Sequence, residues 1–187
     1  MYVLVIGGST GAPDVIREIL GNLLVVDGLS VIIVQHISSG FLDVLKHVIS
    51  SFGKYDIIDA CPGGFFEPGK CYIAPEDIII SCGPGGLIEE FSGDGNNPID
   101  MLMSSVSEQF KEKSIGVILS GMGNDGVAGI GDIKSAGGLA IAQDEASSVI
   151  YGMNKIAVQC KYIDKILPPR EIASEIIKYL KIKRGCV

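Results

Sequence analysis

The sequence predicts a doubly wound α/β domain with a mostly parallel sheet, and three observations carry that prediction. Short β-branched runs alternate with helical patterns over most of the 187 residues. The runs "YVLVIG" (2–7), "LSVIIVQH" (29–36) and "SIGVILSG" (114–121) are almost continuously apolar, as strands covered on both faces must be. Each run passes through turn residues into a stretch whose apolar residues recur at helical spacing, the pattern of strand–helix–strand units.

The first strand runs into Gly7-Gly8-Ser9-Thr10-Gly11, where Gly7 and Gly8 are expected to permit a tight turn. Pro13 suits the first turn of a helix over 13–23, with Val15, Ile16, Ile19 and Leu20 on one face. After the second strand, residues 40–52 place Phe41, Leu45, Val48, Ile49 and Phe52 on one helical stripe. Residues 55–95 change character. There "YDIIDA", "KCYIAP", "DIIISCG" and "GLIEEFS" are short strands separated by Pro/Gly turns, which reads as an antiparallel hairpin insert at a sheet edge. In 97–110, Asn97 is the expected N-cap and Pro98 the first helical residue, with apolar residues at 99, 102, 103, 106 and 110. Residues 126–138 read as a glycine-rich helix, "LAIAQ" (139–143) as a fourth strand, and 148–160 and 168–182 as helices.

Close to half of the residues are apolar and 25 are glycine, which excludes a disordered chain, and the length fits one domain over 1–187. The net charge is −7 and the longest basic run is "KIKR" (181–184), which argues against a nucleic-acid partner. The five cysteines (61, 71, 82, 160, 186) include no C-x-x-C pair, and with two histidines no metal site is expected. An odd cysteine count without framework spacing reads as reduced thiols in a cytoplasmic protein. The N-terminal apolar run stops at Gly7, and no run of about 18 apolar residues could span a membrane.

Sites in open α/β sheets form outside the carboxyl ends of the strands. The first strand leads to Ser9, the second ends on His36, and the third leads through Ser120-Gly121-Met122-Gly123-Asn124 to Asp125. A serine needs a neighbouring base to act as a nucleophile, and histidine can take its proton and return it to a leaving group. A carboxylate holds the imidazole tautomer and stabilises the imidazolium. The helix that begins near Gly11–Pro13 would add free N–H groups suited to an oxyanion. Taken singly, Ser9 and Asp125 also read as turn or cap residues, and His36 as a structural histidine. Their joint occurrence at three strand ends is what points to acyl transfer. His47 competes for the base role, but it lies off its helix's apolar stripe and reads as a solvated group. The segment "GGSTGA" lacks the phasing of a dinucleotide fingerprint, and there is no P-loop. Residues 7–11 match the G-x-S-x-G elbow, although the order Ser…His…Asp is not that of α/β-hydrolases.

Together "IGGSTGAP", "VQHISSGF", "CYIAPED", "ILSGMGNDGVAGI" and "AQDEASSVIYGM" resemble the catalytic domain of the chemotaxis-receptor protein-glutamate methylesterases, the CheB type, from about residue 2 to residue 180. The resemblance implies hydrolysis of glutamate γ-methyl esters on chemoreceptor cytoplasmic helices, with release of methanol. It also implies deamidation of receptor glutamines by the same acyl-enzyme route. Ser9 would be the nucleophile, His36 the general base and acid, and Asp125 the orienting carboxylate. Thr10 and Met122 match positions that help form the oxyanion and substrate site. The implied partners are the cytoplasmic domains of methyl-accepting chemoreceptors, and no metal or organic cofactor is required.

The chain departs from the family pattern at Ala12, where glycine is usual, and at Ser38–Ser39, where a proline-containing stretch is common. Asn154 stands where proline is usual, and 95–100 lacks basic residues and a serine; these two bear on the substrate contacts. The usual N-terminal receiver domain is not expected within 1–187. Either the chain is a stand-alone esterase under different regulation, with a separate receiver protein as partner, or it is part of a longer protein. A non-catalytic receptor-binding module and an esterase for another acyl ester are the alternative readings.

Overall fold

The computed structural model describes residues 1–185 except 24, 37–39, 41, 51–54, 56, 76 and 93–96. In chain order its strands and helices are β1 (Tyr2–Gly8), α1 (Ala12–Asn22), β2 (Leu29–Gln35), α2 (Leu42–Ser50), β3 (Ile57–Asp59), β4 (Cys71–Ile73), β5 (Ile80–Cys82) and β6 (Ile88–Glu90). There follow α3 (Pro98–Phe110), β7 (Ser114–Ile118), α4 (Val127–Ser135), β8 (Leu139–Gln143), α5 (Met153–Gln159), β9 (Lys165–Leu167) and α6 (Pro169–Lys183). Seven strands form one sheet in the order β3-β4-β2-β1-β7-β8-β9, all parallel. The chain steps from β1 to β2 on one side and returns to β7 on the other, so the direction of winding reverses at β1.

The apolar runs of the strands follow from this layering. Side chains alternate between the two faces of a strand, so both faces need apolar residues when both are covered. Leu4 and Ile6 pack in one buried cluster with Ile16 and Ile19 of α1, Leu45 and Ile49 of α2, and Ile172 and Ile176 of α6. Val3 and Val5 pack in the other with Ile99 and Met103 of α3, Ile130 of α4, Met153 of α5 and the β5–β6 hairpin. His47 is exposed, as its place off the stripe predicts, while Phe41 and Phe52 lie outside the described residues. No described helix is long and apolar enough to cross a membrane.

The hairpin insert is narrower than the sequence suggests. Among the described strands only β5 and β6 pair antiparallel, whereas β3 and β4 pair parallel and extend the main sheet beside β2. The Pro/Gly turns between β3 and β4 serve a crossover: Phe66 N–H donates to Gly86 O at 2.8 Å and ties the crossing segment to the hairpin. The edge strand β9 is not anticipated, because its three residues are too exposed and too few to leave an apolar run. The helix expected from residue 148 begins at Met153 instead. Ahead of it, Asp144 folds the chain into turns: its side chain accepts the Ser147 N–H at 3.1 Å and its carbonyl the Ser148 hydroxyl at 2.7 Å.

Candidate active site

Three adjacent strands, β2, β1 and β7, deliver the candidate residues to one rim. Backbone hydrogen bonds continue the sheet past the strand ends. His36 N–H donates to Gly8 O at 3.0 Å, and Ser9 N–H donates to Ser120 O at 3.0 Å. The Ser9 carbonyl accepts the Ala12 N–H at 3.0 Å and the Gln35 side-chain amide at 2.7 Å. Ser9 is thus held from both neighbouring strands and from the first turn of α1. The left-handed turn falls at Gly11, with φ of 84°. Gly7 and Gly8 are strand residues and not the expected turn. A Cβ on Gly8 would lie 2.4 Å from Ala12 Cβ, and one on Gly7 would lie 2.4 Å from Ile99 Cγ2. These glycines let α1 and α3 approach the strand.

His36 Nε2 lies 2.6 Å from Asp125 Oδ2. The His36 side chain is one-third exposed and Asp125 is buried. An ionised carboxylate has only lone pairs to offer, so the neutral ring carries its proton on Nε2 and leaves Nδ1 with a free lone pair. The ring nitrogen available for proton exchange is therefore Nδ1.

Asp125 is anchored by a helix that the sequence did not connect with the site. Its Oδ2 also accepts the Ile99 N–H at 3.1 Å, and its Oδ1 accepts the Asp100 N–H at 2.9 Å. These are unpaired donors of the first turn of α3, so Asp125 acts as that helix's cap from a distance. Asn97, the expected cap, makes no side-chain cap bond. Asp100 is a buried acid in the same turn and accepts the Gly129 N–H of α4 at 2.8 Å. Burial pushes its carboxyl above the ordinary range, and the Asp125 charge adds to that, against the pull of backbone N–H groups at Gly129, Gly126 and Ala128. An acid three residues into a helix was the sequence signal for Asp100.

Thr10 follows Ser9 in the chain and Met122 follows Gly121, and both are exposed. Their backbone N–H groups donate to no acceptor among the described residues. Met122 is 73% exposed. A Cβ on Gly121 would fall 2.8 Å from Ser9 Cβ, so the chain before Met122 packs directly against the serine. A buried polar chain fixes this region. Ser120 donates its hydroxyl to Thr10 O at 2.7 Å and accepts the Ile150 N–H at 2.9 Å. Gln143 Oε1 accepts the Ser120 N–H at 2.9 Å. Asn154 donates to Gln143 O at 3.1 Å and to Ser148 Oγ at 2.9 Å. Asn154 is fully buried, so this departure from the family pattern braces the 144–150 loop.

A parallel α/β sheet thus carries a serine, a histidine and a buried aspartate at adjacent strand ends, with the histidine bonded to the aspartate. Residues 4–176 match the family model described as CheB methylesterase, and the chain belongs to that family. The fold superposes on the crystal structure of the Thermotoga maritima CheB methylesterase catalytic domain with a TM-score of 0.87 at 33% identity, covering 95% of this chain and 97% of that one. The chain is 35% identical over 187 residues to a protein-glutamate methylesterase/protein-glutamine glutaminase of Moorella thermoacetica, covering 94% of this chain and 43% of the relative. It is 36% identical to the protein-glutamate methylesterase FrzG of Myxococcus xanthus, covering 97% of this chain and 56% of the relative. The chain thus spans about half the length of these curated relatives.

Proposed function

We propose that residues 1–187 act as one catalytic unit that hydrolyses glutamate γ-methyl esters on the cytoplasmic helices of chemoreceptors, and that it deamidates receptor glutamines by the same route. Ser9 Oγ attacks the ester carbonyl carbon while His36 Nδ1 takes the hydroxyl proton. The carbonyl electron pair moves onto oxygen, where the N–H groups of Thr10 and Met122 stabilise it. Collapse breaks the bond to methoxide, which leaves as methanol with the proton from His36. Water then attacks the acyl-enzyme with His36 as base and releases glutamate and free Ser9. Asp125 keeps the ring in the tautomer that leaves Nδ1 unprotonated. The proposed substrate places the protein in the cytoplasm.

The observation that carries this reading is the 2.6 Å contact of His36 Nε2 with buried Asp125, beside the strand end that bears Ser9. The test is methanol release from methylated chemoreceptor membranes, with Ser9→Ala in parallel. Release that disappears in the alanine variant supports the reading. A folded wild type that releases none, yet turns over simple acyl esters, would move the substrate assignment elsewhere.

A further inference from the structure

We propose that Asp100 is a positioning residue for the Asp125–His36 pair, an inference that rests on reading Asp125 as the carboxylate that orients His36. The two acids exchange helices. Asp125 lies just before α4 and holds the first turn of α3, through Ile99 N–H and Asp100 N–H at 3.1 and 2.9 Å. Asp100 lies in the first turn of α3 and holds the start of α4, through Gly129 N–H at 2.8 Å. Each carboxylate sits at the positive end of the helix to which the other belongs. Neither helix has a side-chain cap from its own N-cap residue, so the exchanged acids supply that function.

The helices pack tightly at this exchange. A Cβ on Gly129 would fall 2.8 Å from Asp100 O, and one on Gly126 would fall 2.7 Å from Ile99 Cγ2. The amides that hold Asp125 therefore cannot shift without disturbing the acid that holds α4. The same Asp125 oxygen faces His36 Nε2 and Ile99 N, so the position of α3 sets the angle at which the carboxylate meets the ring. Facing Asp100 are the charge of Asp125, ahead of α4, and the side-chain amide of Asn97 at 3.5 Å, ahead of α3. A second negative charge behind Asp125 also favours the imidazolium that forms during catalysis.

The test replaces charge while keeping shape. Asp100→Asn retains an acceptor for α4 but loses the charge. Asp100→Ser is the second variant, because a hydroxyl still caps a helix. The first readout is the His36 imidazole titration by NMR, with His47, the other of the two histidines, as internal control. The expected result is a His36 pKa lower by about half a pH unit or more in each folded variant, with His47 unmoved. The acid limb of kcat/KM should move to lower pH with it. The value of kcat should fall by about tenfold to a hundredfold with KM little changed. A lower melting temperature with the His36 titration and the acid limb unmoved would overturn the proposal. The NMR titration needs no turnover. Failure of the esterase reading, seen as methanol release that survives Ser9→Ala, is therefore separable from failure of this one.

Discussion

Asp125 Oδ2 lies 2.6 Å from His36 Nε2, and the same atom accepts the Ile99 N–H at 3.1 Å. The carboxylate bonded to the imidazole is thus itself held by the main chain of a helix.

That geometry sets the expected outcome of Asp125→Asn. The amide can still accept from α3, but its NH2 group then faces the ring and drives the proton from Nε2 to Nδ1. Nδ1 loses its lone pair for Ser9, and kcat on methylated receptor should fall by about 10⁴, the scale known for this change in another triad hydrolase. Ser9→Ala should cost on the order of 10⁶. A fall of less than about tenfold in the asparagine variant would remove Asp125 from the mechanism.

Gly8 and Ala12 share one space. Gly8→Ala places a methyl group 2.4 Å from Ala12 Cβ, and neither atom can rotate away. The single variant should lose about 1–3 kcal/mol in urea denaturation. Combining it with Ala12→Gly should recover most of that loss, since the two changes act on one contact. Equal losses in the single and double variants would show that the contact does not limit stability.

Asp100 gives a stability signature with a defined sign. Its carboxyl lies above the ordinary range in the folded state because of burial. Between the unfolded and folded values the native protein holds a proton that the unfolded chain has released, so stability declines as pH rises through that window. The contribution is complete below the unfolded pKa and lost above the folded one. Denaturation from about pH 4 to pH 7 should therefore show wild type losing stability relative to Asp100→Asn as pH rises. A constant or opposite difference would contradict the raised carboxyl.

The four described thiols divide into two classes. Cys61 and Cys160 are exposed, while burial pushes the buried Cys71 and Cys82 thiols up to about 12. Brief alkylation of native protein, followed by peptide mapping, should label Cys61 and Cys160 and spare the other two until denaturant is added. Rapid native labelling of Cys71 would show that its strand opens.

The central strands were legible because burial on both faces writes a continuous apolar run into the sequence, and Ser9, His36 and Asp125 interrupt or follow such runs. The pairing of β3 and β4 was not legible. Their turn residues suit a hairpin, and only contacts with the β5–β6 hairpin decide that the connecting chain crosses over. Gly8 shows the limit for glycine. Its identity suggested a turn, yet its cause is a helix that arrives four residues later in the chain. Asp100 was readable as a helix-start acid, but its partner Gly129 belongs to another helix, and no local spacing connects them. Asn154 likewise looked like a cleft position until its amide was found bracing Gln143 and Ser148.

The placing of β1 between β2 and β7 has a consequence for refolding. The β1–β2 pairing joins neighbouring segments, whereas β1–β7 sets Val3 opposite Ser114 and must close a long stretch of chain. Non-local parallel pairing is slow, because closure entropy is lost before contacts repay it. Ser9 and His36 are therefore expected to come together before Asp125 joins them. After dilution from denaturant, ester turnover should lag the return of far-ultraviolet helical signal.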